Sequence, residues 1–177
     1  IADIGLVGFP NVGKSSLLNF LTGAKSRVGN YFFTTLEPFL GILPGGNIVA
    51  DIPGIIEGAS EGKGLGAKFL RHIKRTKVIA HCISLESDDI EKEYKVIRNE
   101  LKKYSEELYN KPEILLLTKS DTVSEKELKK RETLAKKINK NFISVSILDD
   151  SSIKKLIKKL NDFADSASIK KKITKKK

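Results

Sequence analysis

Cysteine, histidine and long apolar runs are scarce in this 177-residue chain. The single cysteine, Cys82, excludes an internal disulfide and fits a reducing cytosol, so we expect a cytoplasmic protein. One cysteine and the histidines His72 and His81 form no cluster with the spacing of a structural zinc site. No apolar run approaches the roughly 20 residues that span a membrane, so we expect no membrane association.

The chain also lacks an initiator methionine and the basic start of a signal peptide, because it begins at Ile1. We therefore expect an excised or processed start, with more protein upstream. The length suits one ordinary domain, and 40% hydrophobic with 31% charged residues is typical of a soluble globular composition. We expect a monomer.

The net charge of +11 is concentrated at the end of the chain. Six of the last eight residues are lysines, and without them 27 basic residues face 22 acidic ones. We therefore divide the chain into a folded domain, residues 1–166, and a lysine-rich, disordered tail, residues 167–177. The tail is either a solvated end or a polybasic arm that adds salt-sensitive affinity for RNA.

Strand and helix patterns alternate along the chain, which indicates an α/β fold. Strands are predicted at 4–7, 39–43, 47–50, 78–85, 114–117 and 142–145, and the second and third form a hairpin around Pro44-Gly45-Gly46. Helices are predicted at 14–21, about 90–108 and 125–138, and a last one begins at Ser151 or Ser152 and ends at Phe163.

A glycine-rich motif lies between the first predicted strand and the first predicted helix. Gly8-Phe9-Pro10-Asn11-Val12-Gly13-Lys14-Ser15 matches G-x-x-x-x-G-K-[ST]. Its glycines let backbone N–H groups point at phosphates, and the start of the helix adds a positive dipole end. Lys14 is expected to reach the β- and γ-phosphates, and the Ser15 hydroxyl to ligate Mg²⁺.

A second motif, Asp51-Ile52-Pro53-Gly54, follows the second strand of the predicted hairpin. A carboxylate at the end of that strand would lie beside the phosphates and support the Mg²⁺ ion. Gly54 is a candidate N–H donor to the γ-phosphate, because no side chain blocks the approach. Taken alone, the same four residues are also typical of a simple turn.

A third motif, Thr118-Lys119-Ser120-Asp121, follows the apolar strand 114–117. A carboxylate that accepts from N1 and N2 of guanine selects guanine, because adenine lacks that pair of donors. Asp121 therefore predicts guanine specificity, and Lys119 would flank the base. Ser146 and Ile147 resemble a loop whose backbone completes the guanine pocket. A solvated surface loop is the alternative interpretation of the third motif.

These motifs and two longer segments resemble the Obg family of bacterial GTPases, over almost the whole chain to about Phe163. The segments are Tyr31-Phe32-Phe33-Thr34-Thr35-Leu36-Glu37-Pro38 and Asp51-Ile52-Pro53-Gly54-Ile55-Ile56-Glu57-Gly58-Ala59, and residues 62–66 and 69–73 extend the match. The resemblance implies a Ras-like G domain of the P-loop NTPase class, with a six-stranded, mostly parallel sheet and helices on both faces.

The resemblance further implies a slow GTP hydrolase that acts on ribosomes, mainly in maturation of the large subunit. It makes Thr35 a second Mg²⁺ ligand and implies that residues 33–37 close over bound GTP. Family members usually carry a glycine-rich domain upstream and often another domain downstream. We therefore expect that this chain is the GTPase domain of a longer protein.

Several residues depart from the family pattern. Phe32 replaces a usual proline, so we expect a looser first switch, and Ser84 replaces a common aspartate. Thr118 replaces asparagine, so we expect weaker tethering of the P-loop. Ile55 stands where Ras-like enzymes place a glutamine that orients the attacking water, so slow turnover is expected. Asn11 is either a turn residue or a ligand for a potassium ion.

The predicted catalytic residues are Lys14, Thr35 and Gly54, and the predicted metal ligands are Ser15 and Thr35. The predicted nucleotide-binding residues are Gly8, Phe9, Pro10, Asn11, Val12, Gly13, Lys14, Ser15, Ser16, Phe33, Thr34, Thr35, Leu36, Glu37, Asp51, Ile52, Pro53, Gly54, Thr118, Lys119, Ser120, Asp121, Ser146, Ile147 and Leu148. The predicted ligands are GTP or GDP, Mg²⁺ and, as a candidate, K⁺, with ribosomal RNA as the macromolecular partner.

Two alternative functions stay open. A YchF-type ATPase shares much of the second-switch pattern, but that family lacks the aspartate of the base-reading motif. An RNA-binding module whose nucleotide site is only a sensor is the non-enzymatic alternative. His81 lies within a predicted strand beside Cys82, so we interpret it as a core histidine rather than a metal ligand or catalyst.

Overall fold

Alternating apolar runs and amphipathic segments fold into one β-sheet with helices on both faces. The structure is a computed structural model, and it describes residues 2–22, 27–28, 39–52 and 74–174. The strands are β1 (Ile4–Val7), β2 (Arg27–Val28), β3 (Phe39–Ile42), β4 (Ile48–Asp51), β5 (Val78–Ser84), β6 (Glu113–Thr118) and β7 (Phe142–Ser144). The helices are α1 (Lys14–Thr22), α2 (Ile90–Tyr104), α3 (Glu106–Tyr109), α4 (Glu125–Ile138) and α5 (Asp150–Thr174), with a 3₁₀ turn at Ser120–Thr122.

The sheet has the strand order β2-β3-β4-β1-β5-β6-β7. The pairs β1–β4, β1–β5, β5–β6 and β6–β7 are parallel, and β3 is antiparallel to both β2 and β4. The predicted α/β fold with a mostly parallel sheet is confirmed, and the two-residue β2 adds an edge strand to the six that were expected. Because parallel strands end on one side of the sheet, the segments after β1, β4, β5 and β6 meet there.

Both faces of the central strands are buried against helices. This packing holds the strand ends, and the segments that follow them, in defined positions. Ile4 and Leu6 pack on one face with Leu17 of α1 and Leu156 of α5. On the other face, smaller clusters join β1, β5 and β6 to α2 and α4. Continuous apolar strands of this kind are typical of parallel sheets that are covered on both sides.

The β3–β4 hairpin is confirmed, and its turn contacts α5. Gly45 and Gly46 have φ values of 109° and 95°, where a side chain would be strained. The Asn161 amide of α5 donates to the Pro44 carbonyl at 2.6 Å, and the Asn47 amide donates to Asn161 Oδ1 at 2.8 Å. The hairpin that leads to Asp51 is therefore held against the last helix by side-chain amides.

The prediction of a single helix at about 90–108 was wrong, because the helix is interrupted at Ser105. Ser105 has an extended backbone, with φ −164° and ψ 118°, and its hydroxyl accepts from the Leu108 amide at 3.2 Å. Its own N–H donates to the Leu101 carbonyl at the end of α2. A serine that caps the next turn competes with helix continuation, which explains the break.

The last helix is longer than predicted at its carboxyl end. α5 continues to Thr174, so residues 167–174, expected to be disordered, are helical in this structure. Ala167 is buried, the Ser168 hydroxyl donates to the Ala164 carbonyl at 3.2 Å, and lysines are good helix formers that favour a helix carboxyl end. The division between residues 1–166 and 167–177 as separate units stays a prediction.

Candidate nucleotide-binding site

The P-loop leaves β1 and enters α1 through backbone conformations that its sequence allows. Gly8, Asn11 and Gly13 have positive φ values of 154°, 65° and 95°. A side chain on Gly8 would collide with the Cys82 carbonyl of β5. The Lys14 ammonium donates to the Gly8 and Phe9 carbonyls at 2.9 and 3.0 Å, which places a positive charge at the loop. This arrangement fits phosphate binding.

Asp51 lies directly beside the P-loop serine, as the second motif predicts. The Ser15 hydroxyl donates to Asp51 Oδ2 at 3.0 Å, although the two residues are 36 positions apart. Asp51 Oδ1 is buried and has no hydrogen-bond partner within the part of the chain that the structure describes. Burial raises the pKa of Asp51, while the Lys14 charge and the Ser15 hydrogen bond oppose that rise.

The hydroxyl and the buried carboxylate oxygen fit a Mg²⁺ ion that keeps waters and phosphate oxygens as its other ligands. Between residues 2–22, 27–28, 39–52 and 74–174, no group of three His, Cys, Asp or Glu side chains could hold a metal alone. The donor set therefore suits an ion that arrives with a nucleotide. It does not suit a resident protein-only metal site.

Thr118 connects the phosphate-binding loop to the base-reading motif. Its hydroxyl donates to the Val12 carbonyl at 2.6 Å, and the Ile83 carbonyl lies farther away at 3.4 Å. We expected weaker tethering because asparagine is absent, but the threonine hydroxyl makes a short, buried hydrogen bond to the loop. A tether is therefore present, because Thr118 at the end of β6 lies close enough for a short side chain to reach, and its strength relative to asparagine stays a prediction.

Asp121 is oriented by the Ser146 loop, although the two residues are far apart in sequence. The Ser146 hydroxyl donates to Asp121 Oδ1 at 2.6 Å, and the Leu148 amide donates to the same hydroxyl at 3.1 Å. The Ile147 amide has no partner among the described residues, so it is the N–H that this loop can offer to a ligand.

Ser152 is a supporting residue that the sequence reasoning assigned a different role. It was a candidate cap for the last helix, but α5 begins at Asp150 and the Asp149 carboxylate accepts from the Ser151 amide at 3.0 Å. The Ser152 hydroxyl instead accepts from the Ser146 amide at 2.9 Å. No signal in the sequence distinguishes these roles, because both use a serine at the start of a helix.

A small cavity of about 80 Å³ lies between the phosphate and base motifs. Its lining residues come from both sides and are Val12, Gly13, Ser16, Leu17, Thr118, Lys119, Val145 and Ile147. A larger cleft of about 530 Å³ lies between α2 and α4, but its lining contains none of the predicted site residues. We assign the site to the region of the smaller cavity because its lining contains residues of the P-loop, the base-reading motif and the Ser146 loop.

His81 and Cys82 occupy core positions on opposite faces of β5. His81 is completely buried, its ring stacks on Tyr94 with centroids 5.1 Å apart, and its Nδ1 lies 3.5 Å from Glu113 Oε2. Burial raises the pKa of the Cys82 thiol to about 12, so this thiol is unreactive at neutral pH. The core interpretation of His81 is confirmed by its burial.

Several predicted residues lie outside the described part of the chain. They include Thr35 and the rest of the first switch, Phe33, Thr34, Leu36 and Glu37, and also Pro53, Gly54, Ile55 and His72. Their predicted roles stay predictions. Along the described residues, no helix combines the length and apolar character that a membrane crossing requires.

The chain is similar in sequence to known GTPases. The sequence model of a family described as "50S ribosome-binding GTPase" matches residues 3–119. A Parabacteroides distasonis protein named GTPase Obg is 55% identical over 129 residues, which cover 71% of this chain and 33% of that protein. A protein of the same name from Bacteroides thetaiotaomicron is 45% identical over 176 residues, covering 93% of this chain and 45% of that protein.

Solved structures show the same fold at lower sequence identity. A mutant of S. thermophilus NFeoB bound to GDP has a TM-score of 0.69 at 22% identity, covering 94% of this chain and 64% of that one. The G domain of the T. maritima FeoB iron transporter has a TM-score of 0.64 at 24% identity, covering 92% and 98%. The present chain spans a third to a half of the length of the curated relatives named above.

Proposed function

Because this chain belongs to the family of 50S ribosome-binding GTPases, we propose that it binds GTP with Mg²⁺, hydrolyses it slowly to GDP and phosphate, and acts as a switch in assembly of the large ribosomal subunit. The observation that carries this proposal is the 2.6 Å hydrogen bond from Thr118 to the Val12 carbonyl. It joins a phosphate-binding loop to a base-reading loop, so one nucleotide can occupy both.

Phosphate binding follows from charge and backbone geometry. The backbone N–H groups of the P-loop and the N-terminus of α1 would surround the phosphates. The Lys14 ammonium would offset negative charge on the β- and γ-phosphates. Ser15 would ligate Mg²⁺ and Asp51 would support it, with Thr35 as a further ligand. When bound, Mg²⁺ neutralises charge that develops between the β- and γ-phosphates.

Guanine selection would rest on Asp121, because a carboxylate accepts hydrogen bonds from the N1–H and the 2-amino group of guanine. The Ser146 hydroxyl donates a hydrogen bond to Asp121 Oδ1 and so orients the carboxylate.

The switch would depend on the γ-phosphate, because its loss on hydrolysis would release Thr35 and Gly54. The ribosomal role is supported by the description of the matched family and by the +11 net charge.

Titration calorimetry with GTP, GDP, ATP and XTP tests the base site. The wild type should bind GTP and GDP but not ATP, and Asp121→Asn should shift preference towards xanthine by reversing one hydrogen bond. A tight ATP complex of the wild type would instead favour the ATPase alternative.

Hydrolysis assays test the phosphate site. Lys14→Ala and Ser15→Ala should abolish Mg²⁺-dependent hydrolysis without unfolding the domain, whereas Ser166→Ala, an exposed serine of α5, should leave it unchanged. Equal activity in all four proteins, at matched folded fraction, would refute the phosphate-site assignment.

Sedimentation with purified ribosomal subunits tests the switch. More protein should sediment with the large subunit in a non-hydrolysable GTP analogue than in GDP. Nucleotide-independent sedimentation would favour the RNA-binding alternative.

A further inference from the structure

The Lys119 side chain takes a defined path across the P-loop. Its Cε lies 4.0 Å from the point where a β-carbon on Gly13 would stand, so the lysine stem passes over that glycine. The Lys119 backbone is left-handed with φ 58°, and its carbonyl accepts from the Thr122 amide and hydroxyl. The backbone is therefore fixed, while a lysine stem alone retains many rotamers.

Glu86 holds the far end of that stem. Its Oε2 lies 2.6 Å from the Lys119 ammonium, and the two side chains are 52% and 33% exposed. Glu86 is not among the residues that the sequence motifs single out. It is close because Ser84 of β5 pairs with Thr118 of β6, so the residues that follow the two strands emerge side by side.

The turn that carries Glu86 is itself anchored. The Glu86 amide donates to the Ser84 hydroxyl at 3.1 Å, and the Ser87 amide donates to the Ser84 carbonyl at 3.1 Å. The Leu85 amide donates to the Thr118 carbonyl at 2.9 Å, which ties this turn to the base-reading motif. The carboxylate is thus presented from a fixed turn.

We propose that Glu86 is a positioning residue for nucleotide binding: it holds the Lys119 ammonium so that the lysine stem lies extended over Gly13 as an apolar wall for the purine ring. The inference rests on the proposed function and adds a residue to the same site. A stem that is already extended loses less rotamer freedom when a nucleotide binds. The wall contacts a ring face, so it contributes to affinity for any purine that Asp121 admits.

Binding of fluorescent GDP to wild type, Glu86→Gln and Glu91→Gln tests this proposal. Glu91 is the matched control because its side chain is about as exposed as that of Glu86 and forms a 2.7 Å ion pair with Lys95 on α2. Glu86→Gln should weaken GDP binding about two- to fivefold, the range of a partly exposed ion pair, and Glu91→Gln should not. The loss should shrink in roughly 1 M salt, where the Debye length is about 3 Å.

A double-mutant cycle separates positioning from a general disturbance of the loop. Lys119→Met keeps an unbranched apolar stem without the charge, so Glu86→Gln should have no effect in that background. The ratio of GDP to IDP affinity should also stay at the wild-type value in Glu86→Gln, because inosine lacks only the 2-amino group that Asp121 reads. Glu86→Asp should restore part of the affinity.

Three outcomes would overturn the proposal. They are wild-type affinity in Glu86→Gln, an equal loss in the Lys119→Met background, and a changed GDP to IDP ratio. Failure of the wild type to bind any guanine nucleotide would refute the proposed function instead, so the two failures are distinguishable.

Discussion

At the scale of single residues, Thr118 shows how a shorter side chain can replace a longer one. A threonine hydroxyl has one proton, and the 2.6 Å distance to the Val12 carbonyl identifies its acceptor in preference to the Ile83 carbonyl at 3.4 Å. Thr118 is 4% exposed, so water cannot easily replace this bond. The tether therefore depends on a single oxygen atom.

We predict that Thr118→Val, which keeps the shape but removes the hydroxyl, lowers the free energy of unfolding by about 1–3 kcal/mol. The reason is that the buried Val12 carbonyl loses its donor. GDP affinity should fall as well, since the P-loop loses its link to the base-reading motif. Urea unfolding and calorimetry measure the two effects.

Thr133→Val is the matched control for that change. Thr133 lies on α4, and its exposed hydroxyl donates to the Lys129 carbonyl at 2.9 Å, so its loss should alter stability by no more than about 0.5 kcal/mol. Equal stability of Thr118→Val and the wild type would contradict the tether.

At the scale of elements, a buried polar cluster joins β5, β6 and α2. Glu113 of β6 accepts from the Tyr94 hydroxyl at 2.8 Å and from the Arg98 guanidinium at 3.0 Å, and His81 of β5 lies beside it. Burial alone would raise the pKa of Glu113. The contacts with His81, Arg98 and Tyr94 outweigh burial, and the net direction is downward.

This direction predicts a pH-dependent stability. A carboxylate with a lowered folded-state pKa stabilises the protein above its unfolded pKa, near 4.5, and that contribution is lost as the pH falls through the folded value. We predict that Glu113→Gln lowers the free energy of unfolding at pH 7 by about 1.5–3 kcal/mol, the range for hydrogen bonds to charged groups.

Urea unfolding between pH 7 and pH 3 measures the effect. The difference between wild type and Glu113→Gln should narrow below about pH 4.5, because the wild type then loses the charge as well. A constant difference across this range would show that the charge of Glu113 is not responsible. Glu91→Gln is the control, since Glu91 and its partner Lys95 are both exposed on α2.

The sequence predicted elements best where one signal dominated. β6 is an apolar run between Pro112 and a polar motif, and α4 matches its predicted bounds because Ser124 caps a clear amphipathic segment. The helix interruption at Ser105 was missed, because a serine can stand either inside a helix or at its start. The extension of α5 was missed as well. Lysine-rich ends likewise suit both a helix and a solvated coil.

The site was predictable in its motifs but not in its supporting contacts. Ser15 and Asp51 were expected to be neighbours, because strand ends converge in a parallel sheet. The pairs that join Glu86 to Lys119 and Ser152 to Ser146 depend on loop conformations and on the relative register of β5 and β6. No residue spacing within a single motif encodes that information.

At the scale of the whole molecule, positive charge collects at the carboxyl end of α5, far in sequence from every nucleotide motif. Lys170, Lys171 and Lys172 lie exposed on the last described turns, beside the exposed Ile169 and Ile173. Basic residues favour a helix carboxyl end, so part of their role is structural. Charge that remains exposed is also available to phosphates.

We predict that replacing Lys170, Lys171 and Lys172 by glutamine weakens binding to ribosomal RNA and leaves GTP hydrolysis unchanged. Glutamine keeps helix propensity, so the helix should persist. Each RNA phosphate that a lysine no longer neutralises should reduce the slope of log affinity against log salt by about 0.7–0.9. An unchanged slope, from filter binding at several salt concentrations, would assign the tail a purely structural or solvated role.

Turnover of the whole molecule depends on what neutralises charge between the β- and γ-phosphates. The Ile55 side chain has no polar atom with which to orient a water, so fast hydrolysis needs another group, and a positive charge that offsets the developing negative charge is one such group. Asn11 is exposed in the P-loop with φ 65°, and its carboxamide oxygen is the candidate ligand for a potassium ion.

We predict slow hydrolysis in NaCl and faster hydrolysis in KCl at equal ionic strength, by about tenfold or more, since one electrostatic stabiliser is typically worth about 10²–10³ in turnover. Asn11→Gly should remove the potassium effect and tolerate the positive φ that Ala would strain against. Equal rates in both salts would reject the potassium site and leave a group supplied by a partner. Fast hydrolysis in NaCl, without a partner, would show instead that Ile55 does not limit turnover.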